Sequence, residues 1–274
     1  MNPLRYAYLQ AFRVVGKRIG GESIWNQDWD VLTVLDGCRY DTFKEEFDPE
    51  VDRIRSVGST SHTWLSKTFS DRDTSSIAYI SGNPYASSLD SDEFAYFHLE
   101  PVKKTEYGVE TVPPEQLTER AIHVWRNREH LDVESMVVHY MQPHVPFRSR
   151  PEWFEEWKGT NGWGSGIWSS LRTGELNHEA FFEAYRDNLR WVLEDGIDTL
   201  RENCEAQIAI TADHGNAAGE WFLYGHPTGG LAPSIRDVPW VILEGNDRKT
   251  LSPTITESST DIDREAQLQA LGYV

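Results

Sequence analysis

Short apolar runs recur along this chain, and several of them stop at a cluster of polar residues. The first reads Val31-Leu32-Thr33-Val34-Leu35 and ends at Asp36. Others cover residues 53–57, 76–80, 133–140, 207–211 and 238–243. Runs this short, closed by turn formers, predict strands rather than helices. Between them, helical segments are expected at 41–47, 62–70, 115–129 and 179–203, the third opened by Pro113-Pro114. Strands that alternate with helices build an α/β fold, here a mostly parallel central sheet sandwiched between helices. Ligands of such sheets sit beyond the carboxyl ends of the strands. Asp36, the loop at Thr60, His144 and the pair Asp213-His214 each follow a strand candidate, so the polar clusters obey that rule.

Three parts are expected along the chain. Residues 1–21 hold an amphipathic helix at 3–19, with Leu4, Tyr8, Ala11, Val15 and Ile19 on one face and Gly20-Gly21 as its stop. Its charges, Arg5, Arg13, Lys17 and Arg18, are all basic. Such a helix either packs on the domain, as most do, or touches a membrane surface or a partner. Residues 22–250 form the main domain. Within it, a Trp-rich insertion at 151–170 has no clear period, and reads as a substrate-facing lid or as a surface excursion pinned by its aromatics. Residues 251–274 are a polar linker followed by a short helix at 263–271.

Composition removes some function classes. The formal net charge is -18, from 26 basic and 44 acidic side chains, which opposes nucleic-acid binding. No run approaches the roughly 18 apolar residues of a membrane span. The basic residues near the N-terminus interrupt any signal-peptide core. From these readings a cytoplasmic or membrane-peripheral location is expected. The two cysteines, Cys38 and Cys204, do not suggest a disulfide framework or thiolate cluster, and Cys38 is expected to be a small buried residue.

Carboxylates and imidazoles carry the chemistry. Asp36, Asp213 and His214 form a mixed oxygen and nitrogen set that suits Mn, Zn, Mg or Ca to different degrees. The loop Gly58-Ser59-Thr60-Ser61-His62-Thr63 brings several hydroxyls to the start of a helix. They read either as plain N-caps or as an anion-binding helix start that carries a nucleophile. His139, alone at a strand end, reads first as structural.

Four segments, in this order, resemble the alkaline phosphatase superfamily, and within it the sulfatase-like and lipoteichoic-acid-synthase-like branch. They are VLTVLDGCRYDTF, SVGSTSHTWL, VVHYMQPHVPF and IAITADHGNAAGEWFLYGHP with the following RDVPWVIL. The closing LQALGYV is also similar to a common ending of sulfatase-like chains. The resemblance implies a divalent metal held by Asp36, Asp213 and His214, with Thr60 as nucleophile and further ligand. Ser61 and Ser59 are its alternatives. His144 and His226 would contact the transferred group or move its proton, and Arg39 and Asp41 would support the first motif. Departures narrow the expectation. Sulfatases of this type carry Cys-x-Pro-x-Arg, whereas this chain has Thr60 in place of the Cys and Trp64 in place of the Arg. Gly37 replaces the second carboxylate that usually follows the first. The expectation is therefore a single-metal hydrolase or transferase of phosphate, phosphodiester or sulfate esters. The competing expectation is an inactive relative that serves as a binding or assembly module.

Overall fold

The structure is a computed structural model and describes residues 11, 14–16, 19–157 and 163–255. A seven-stranded sheet organises them. Its members in the first half are β1 (Val31–Leu35), β2 (Asp52–Arg55), β3 (Ile77–Ser81) and β4 (Tyr96–Leu99). A short ladder of β5 (Lys103–Lys104) and β6 (Glu110–Thr111) precedes β7 (Ser135–Tyr140) and β8 (Gln207–Thr211). A second small ladder, β9 (Ala217–Ala218) with β10 (Tyr224–Gly225), comes before the last strand, β11 (Asp237–Glu244).

The strand order is β2-β11-β8-β1-β7-β3-β4. β1 pairs in parallel with β7 and β8, and β3 in parallel with β7 and β4. Only β11 is reversed, antiparallel to both β8 and β2. The mostly parallel sheet expected from the alternation is thus present. Its central strands are apolar for a physical reason. β1 and β3 are buried at every position, as strands covered by helices on both faces must be.

Seven of the connecting segments bear on the site. They are α1 (Tyr40–Glu46), α2 (Ser61–Phe69), α3 (Pro114–Arg126), α4 (Glu152–Trp157), α5 (Trp163–Thr173), α6 (His178–Trp191) and, later, α7 (Thr199–Asn203). α6 runs through a π-helical stretch, Val192–Asp198, into α7, so the helix expected over 179–203 is continuous but changes its winding. Among the described residues no helix is long and apolar enough to cross a membrane.

The Trp-rich insertion is ordered where the sequence showed no period. α4 and α5 occupy it, and residues 158–162 lie outside the described residues. Ile167 and Leu171 are spaced one helical turn apart and both are buried. They join Phe147, Phe154, Phe181 and Tyr185 in a second apolar cluster, with Phe147 edge-on to Phe181 at 5.5 Å. The excursion alternative assumed an irregular segment, and helices α4 and α5 replace it. The period was masked because the helix begins on Trp163-Gly-Ser-Gly, and glycine weakens a helical pattern. The N-terminal helix at 3–19 falls mostly outside the described residues, and the helix at 263–271 falls wholly outside them.

At the sheet edge, β4 is tied to α3 through the buried carboxylate Glu100. It accepts from Arg120 Nε at 2.8 Å and from Gln116, and His98 Nε2 stands 2.9 Å away. Burial alone would raise this carboxyl, but the hydrogen bonds outweigh it and hold its pKa down to about 2. The unfolded value is near 4.3, so the native state binds fewer protons between the two values. Stability should therefore be present above about pH 4.3 and be lost as pH falls towards 2, by up to about 3 kcal/mol. Urea titrations between pH 2 and 6 are expected to show this acid slope flattened in Glu100→Gln.

Candidate metal centre

Three neighbouring parallel strands deliver the site. The register pairs Val34 with Thr211 across β1 and β8, and Leu35 with Tyr140 across β1 and β7. These strands therefore end at one level, and Asp36 and Asp213 leave their carboxyl ends side by side. β3 ends beside them, with Ser81 opposite His139, and sends Asn83 into the same place.

The ligand atoms of Asp36, Asp213 and His214 all lie within 4.8 Å of one another, and all three residues are fully buried. His214 Nε2 stands 3.3 Å from Asp213 Oδ2 and 3.7 Å from Asp36 Oδ1. Its Nδ1 is 3.0 Å from the Gly215 carbonyl and must donate there. That contact assigns the proton to Nδ1 and turns the Nε2 lone pair towards both carboxylates.

Each carboxylate has one oxygen occupied and one left over. Asp36 Oδ2 accepts from Asn83 Nδ2 at 2.9 Å. Asp213 Oδ1 accepts the Gly37 N–H at 3.0 Å and the His214 N–H at 2.8 Å. Asp36 Oδ1 and Asp213 Oδ2 have no hydrogen-bond partner among the described residues. Burial, then the neighbouring Asp213, push the Asp36 carboxyl well above the usual range. Burial would raise Asp213 too, but His214 and His139 outweigh it and hold it low. Two buried anions this close oppose each other's ionisation. A divalent cation between the two free oxygens and the imidazole lone pair removes that conflict, so the residues present fit a metal.

Against this trio stand the Ser61 hydroxyl and three histidines. Ser61 Oγ is 3.5 Å from His214 Nε2. Thr60 is the N-cap of α2. Its Oγ1 accepts from Thr63 N at 3.2 Å and lies 2.9 Å from Thr63 Oγ1. Ser59 faces away, accepting from Gly229 N at 2.9 Å and donating to the Pro227 carbonyl at 3.3 Å. Thus it pins the loop that follows His226. The His226 ring stacks on His214 at a centroid distance of 4.2 Å. His226 Nε2 is 3.4 Å from His144 Nε2. His144 Nδ1 donates to the Val145 carbonyl at 3.0 Å, so the proton between the two Nε2 atoms belongs to His226. Burial pushes His144 down to about 4 and His226 well below its usual value, keeping both rings neutral. His139 Nε2 is 3.8 Å from Asp213 Oδ2, and its Nδ1 is 2.8 Å from Tyr79 Oη.

No family model matches this sequence, and no curated protein matches it. Solved structures do. The soluble domain of lipooligosaccharide phosphoethanolamine transferase A from Neisseria meningitidis superposes with a TM-score of 0.51 at 12% identity, over 85% of this chain and 81% of that one. The integral membrane protein of the same name superposes at 0.52 and 13% identity, over 88% of this chain and 50% of that one, so this chain spans half its length. The C-terminal periplasmic domain of a phosphoethanolamine transferase from Campylobacter jejuni is similar at 17% identity and a TM-score of 0.47, over 80% and 79% of the two chains.

The chain shares the fold of these Neisseria meningitidis transferase structures.

Within that fold, the departures seen in the sequence acquire physical reasons. Gly37 adopts φ +64, a conformation that side chains resist. A Cβ there would lie 2.5 Å from Asn216 Nδ2 and 3.2 Å from His144 Cδ2. Position 37 therefore contributes its N–H to Asp213 rather than a second carboxylate. Trp64 is buried and edge-on to His139 at 5.7 Å, which makes it a wall of the site. Arg39 and Asp41 are paired away from the free oxygens. Arg39 Nε donates to Asp41 Oδ1 at 2.8 Å, and Nη1 donates to the Asn216 carbonyl and to Glu220 Oε1, both at 2.7 Å. This clamp locks the β1 turn to the β8 turn. Cys38 is buried as expected.

Sequence reasoning overlooked Asn83, Asn216 and Tyr79. Asn83 lies in the Ser-Gly-Asn-Pro turn after β3, so the strand-end rule that found Asp36 could have found it. Asn216 holds the Gly37 carbonyl at 2.9 Å, a contact between residues far apart in the chain that leaves no local signal.

Proposed function

We propose that the chain is a metal-dependent enzyme of phosphate-ester or phosphodiester chemistry, which moves a phosphoryl-type group through a hydroxyl of the α2 helix start to water or an alcohol. One observation carries the reading: two orphaned carboxylate oxygens and an imidazole lone pair converge beside that helix start. Asp36, Asp213 and His214 would hold one divalent cation, of the Mn, Zn, Mg or Ca group. When bound, such an ion lowers the pKa of a coordinated hydroxyl and polarises an oxygen of the transferred group.

The protein's own residues do the rest. The first turn of α2 presents its hydroxyls with the helix N-terminus behind them, which favours an oxyanion. Asn83 and Gly37 fix the two carboxylates by their second oxygens, so the free oxygens are already aimed. His226 holds a proton on Nε2 between itself and neutral His144, placed beside the centre for a leaving oxygen. Phosphate is favoured over sulfate because the hydroxyl loop has no cysteine from which a formylglycine could be made. Transfer to an alcohol is supported by the similarity in fold to transferases of phosphoethanolamine.

The test is turnover of aryl phosphate, aryl phosphodiester and aryl sulfate by the purified chain, alongside its metal content. About one divalent ion per chain is expected, with phosphate or phosphodiester cleavage that a chelator stops and added metal restores. A metal-loaded chain that turns over none of the three overturns the reading and supports the binding module.

A further inference from the structure

Next to the loop at 226–229 lies a second cleft of about 290 Å³ that the proposed reaction does not use. Its described lining includes the cations Lys67 and Arg236, the hydroxyls of Ser59, Thr63 and Thr228, and the His62 ring, but no carboxylate. In a chain with 44 acidic side chains and a net charge of -18, a concavity lined this way runs against the general surface.

Arg236 is the less ordinary of the two cations, being only 1% exposed. Its Nε and Nη2 donate to the Ser56 carbonyl at 2.9 and 2.6 Å, and Nη2 also reaches the Gly20 carbonyl at 3.3 Å. Among the described residues, Nη1 makes no hydrogen bond and the guanidinium pairs directly with no carboxylate. A buried guanidinium without an anion is costly. Burial, then the neighbouring Arg55, pull its pKa down to about 10, and the attraction of Asp237 offsets this only in part. Lys67 Nζ donates to the Val57 carbonyl at 2.9 Å, which leaves two of its three N–H donors. Burial and the nearby Arg236 lower its pKa as well. Arg236 thus depresses Lys67 across a cleft whose described lining holds no carboxylate.

We propose that this cleft is a second anion site, separate from the metal centre, that takes a phosphate-type oxyanion either free or on a lipid headgroup. Several acceptor oxygens on one centre match two cations and a set of hydroxyls better than a single carboxylate does. Ser59 forms the partition, since its hydroxyl lines the cleft while bonding Gly229 N and the Pro227 carbonyl next to His226. The inference stands independently of whether the metal centre turns over.

The experiment uses the full chain carrying Asp213→Asn, so that the metal centre contributes no phosphate binding. Inorganic phosphate is titrated by calorimetry, and vesicles of phosphatidylcholine with or without phosphatidylglycerol are tested by co-sedimentation. Saturable binding of at least one probe is expected, weakened about tenfold or more by adding Lys67→Glu, as loss of a charge-assisted bond implies. Thr228→Val should weaken it less. Phosphate binding alone assigns a soluble ligand, and binding to phosphatidylglycerol vesicles assigns a headgroup. If neither probe binds, or Lys67→Glu and Thr228→Val bind both as the parent does, the site does not exist. Arg236 is left unchanged because it braces the backbone at Ser56 and Gly20.

Discussion

Asp213→Asn is expected to lower turnover by about 10³-fold or more, because a metal's transition-state stabilisation is worth several kcal/mol and each 1.36 kcal/mol is tenfold. The substitution is chosen for what it keeps. The asparagine Oδ1 can still accept from Gly37 N and His214 N, the two bonds that shape the turn. What disappears is the negative charge on Oδ2, the oxygen 3.3 Å from His214 Nε2. The variant should therefore fold with metal-free stability close to the parent's. It should lose the stabilisation that added cation gives the parent, about 2.7 kcal/mol at a hundredfold excess over Kd. Thermal unfolding with and without metal, read beside metal content and turnover, checks both halves. Retention of the parent's ion and rate would remove Asp213 from the centre.

The second large effect concerns the hydroxyl. Removing both candidates, in Thr60→Ala/Ser61→Ala, is expected to cost about 10⁴-fold or more in turnover, as deletion of a nucleophile does elsewhere. The single variants divide that loss unequally, because only one oxygen carries the covalent group. The structure and the family resemblance point to different residues. Ser61 Oγ already stands against His214 Nε2. Thr60, where the resemblance locates the nucleophile, spends its hydroxyl on the α2 cap. A cap is worth about 1 kcal/mol, less than the several kcal/mol that a metal contributes to the reaction, so a rotation at Thr60 is affordable. Mass spectrometry of the trapped phosphopeptide, with the two single variants, names the residue. Equal and modest losses in both variants would remove the covalent step from the mechanism.

The choice between those hydroxyls shows where reading the chain stops. Whole strands were legible because burial on both faces writes itself into consecutive apolar residues, as in Val31–Leu35 and Ile77–Ser81. β4 and the two-residue ladders were not, since β4 is only half-buried over most of its length and a ladder of two residues has no period. Helix α5 was hidden by its glycines and revealed by the cluster it packs against.

The site divides the same way. Asp36, Asp213 and His214 could be picked out from the chain because parallel strands end together, and polar residues after such strands have one side of the sheet to occupy. Their use could not be read locally. Which carboxylate oxygen is orphaned depends on Asn83 and Gly37, and which histidine nitrogen bears the proton depends on the Gly215 carbonyl. Why residue 37 must be glycine depends on Asn216. The sequence by itself determined the buried strands of the sheet and which side chains stand at their carboxyl ends, because both follow from periodicity and chain direction. Only the tertiary structure decided their free lone pairs, the place of each hydroxyl and the cations gathered in the neighbouring cleft, because those are set by contacts between residues distant in the chain.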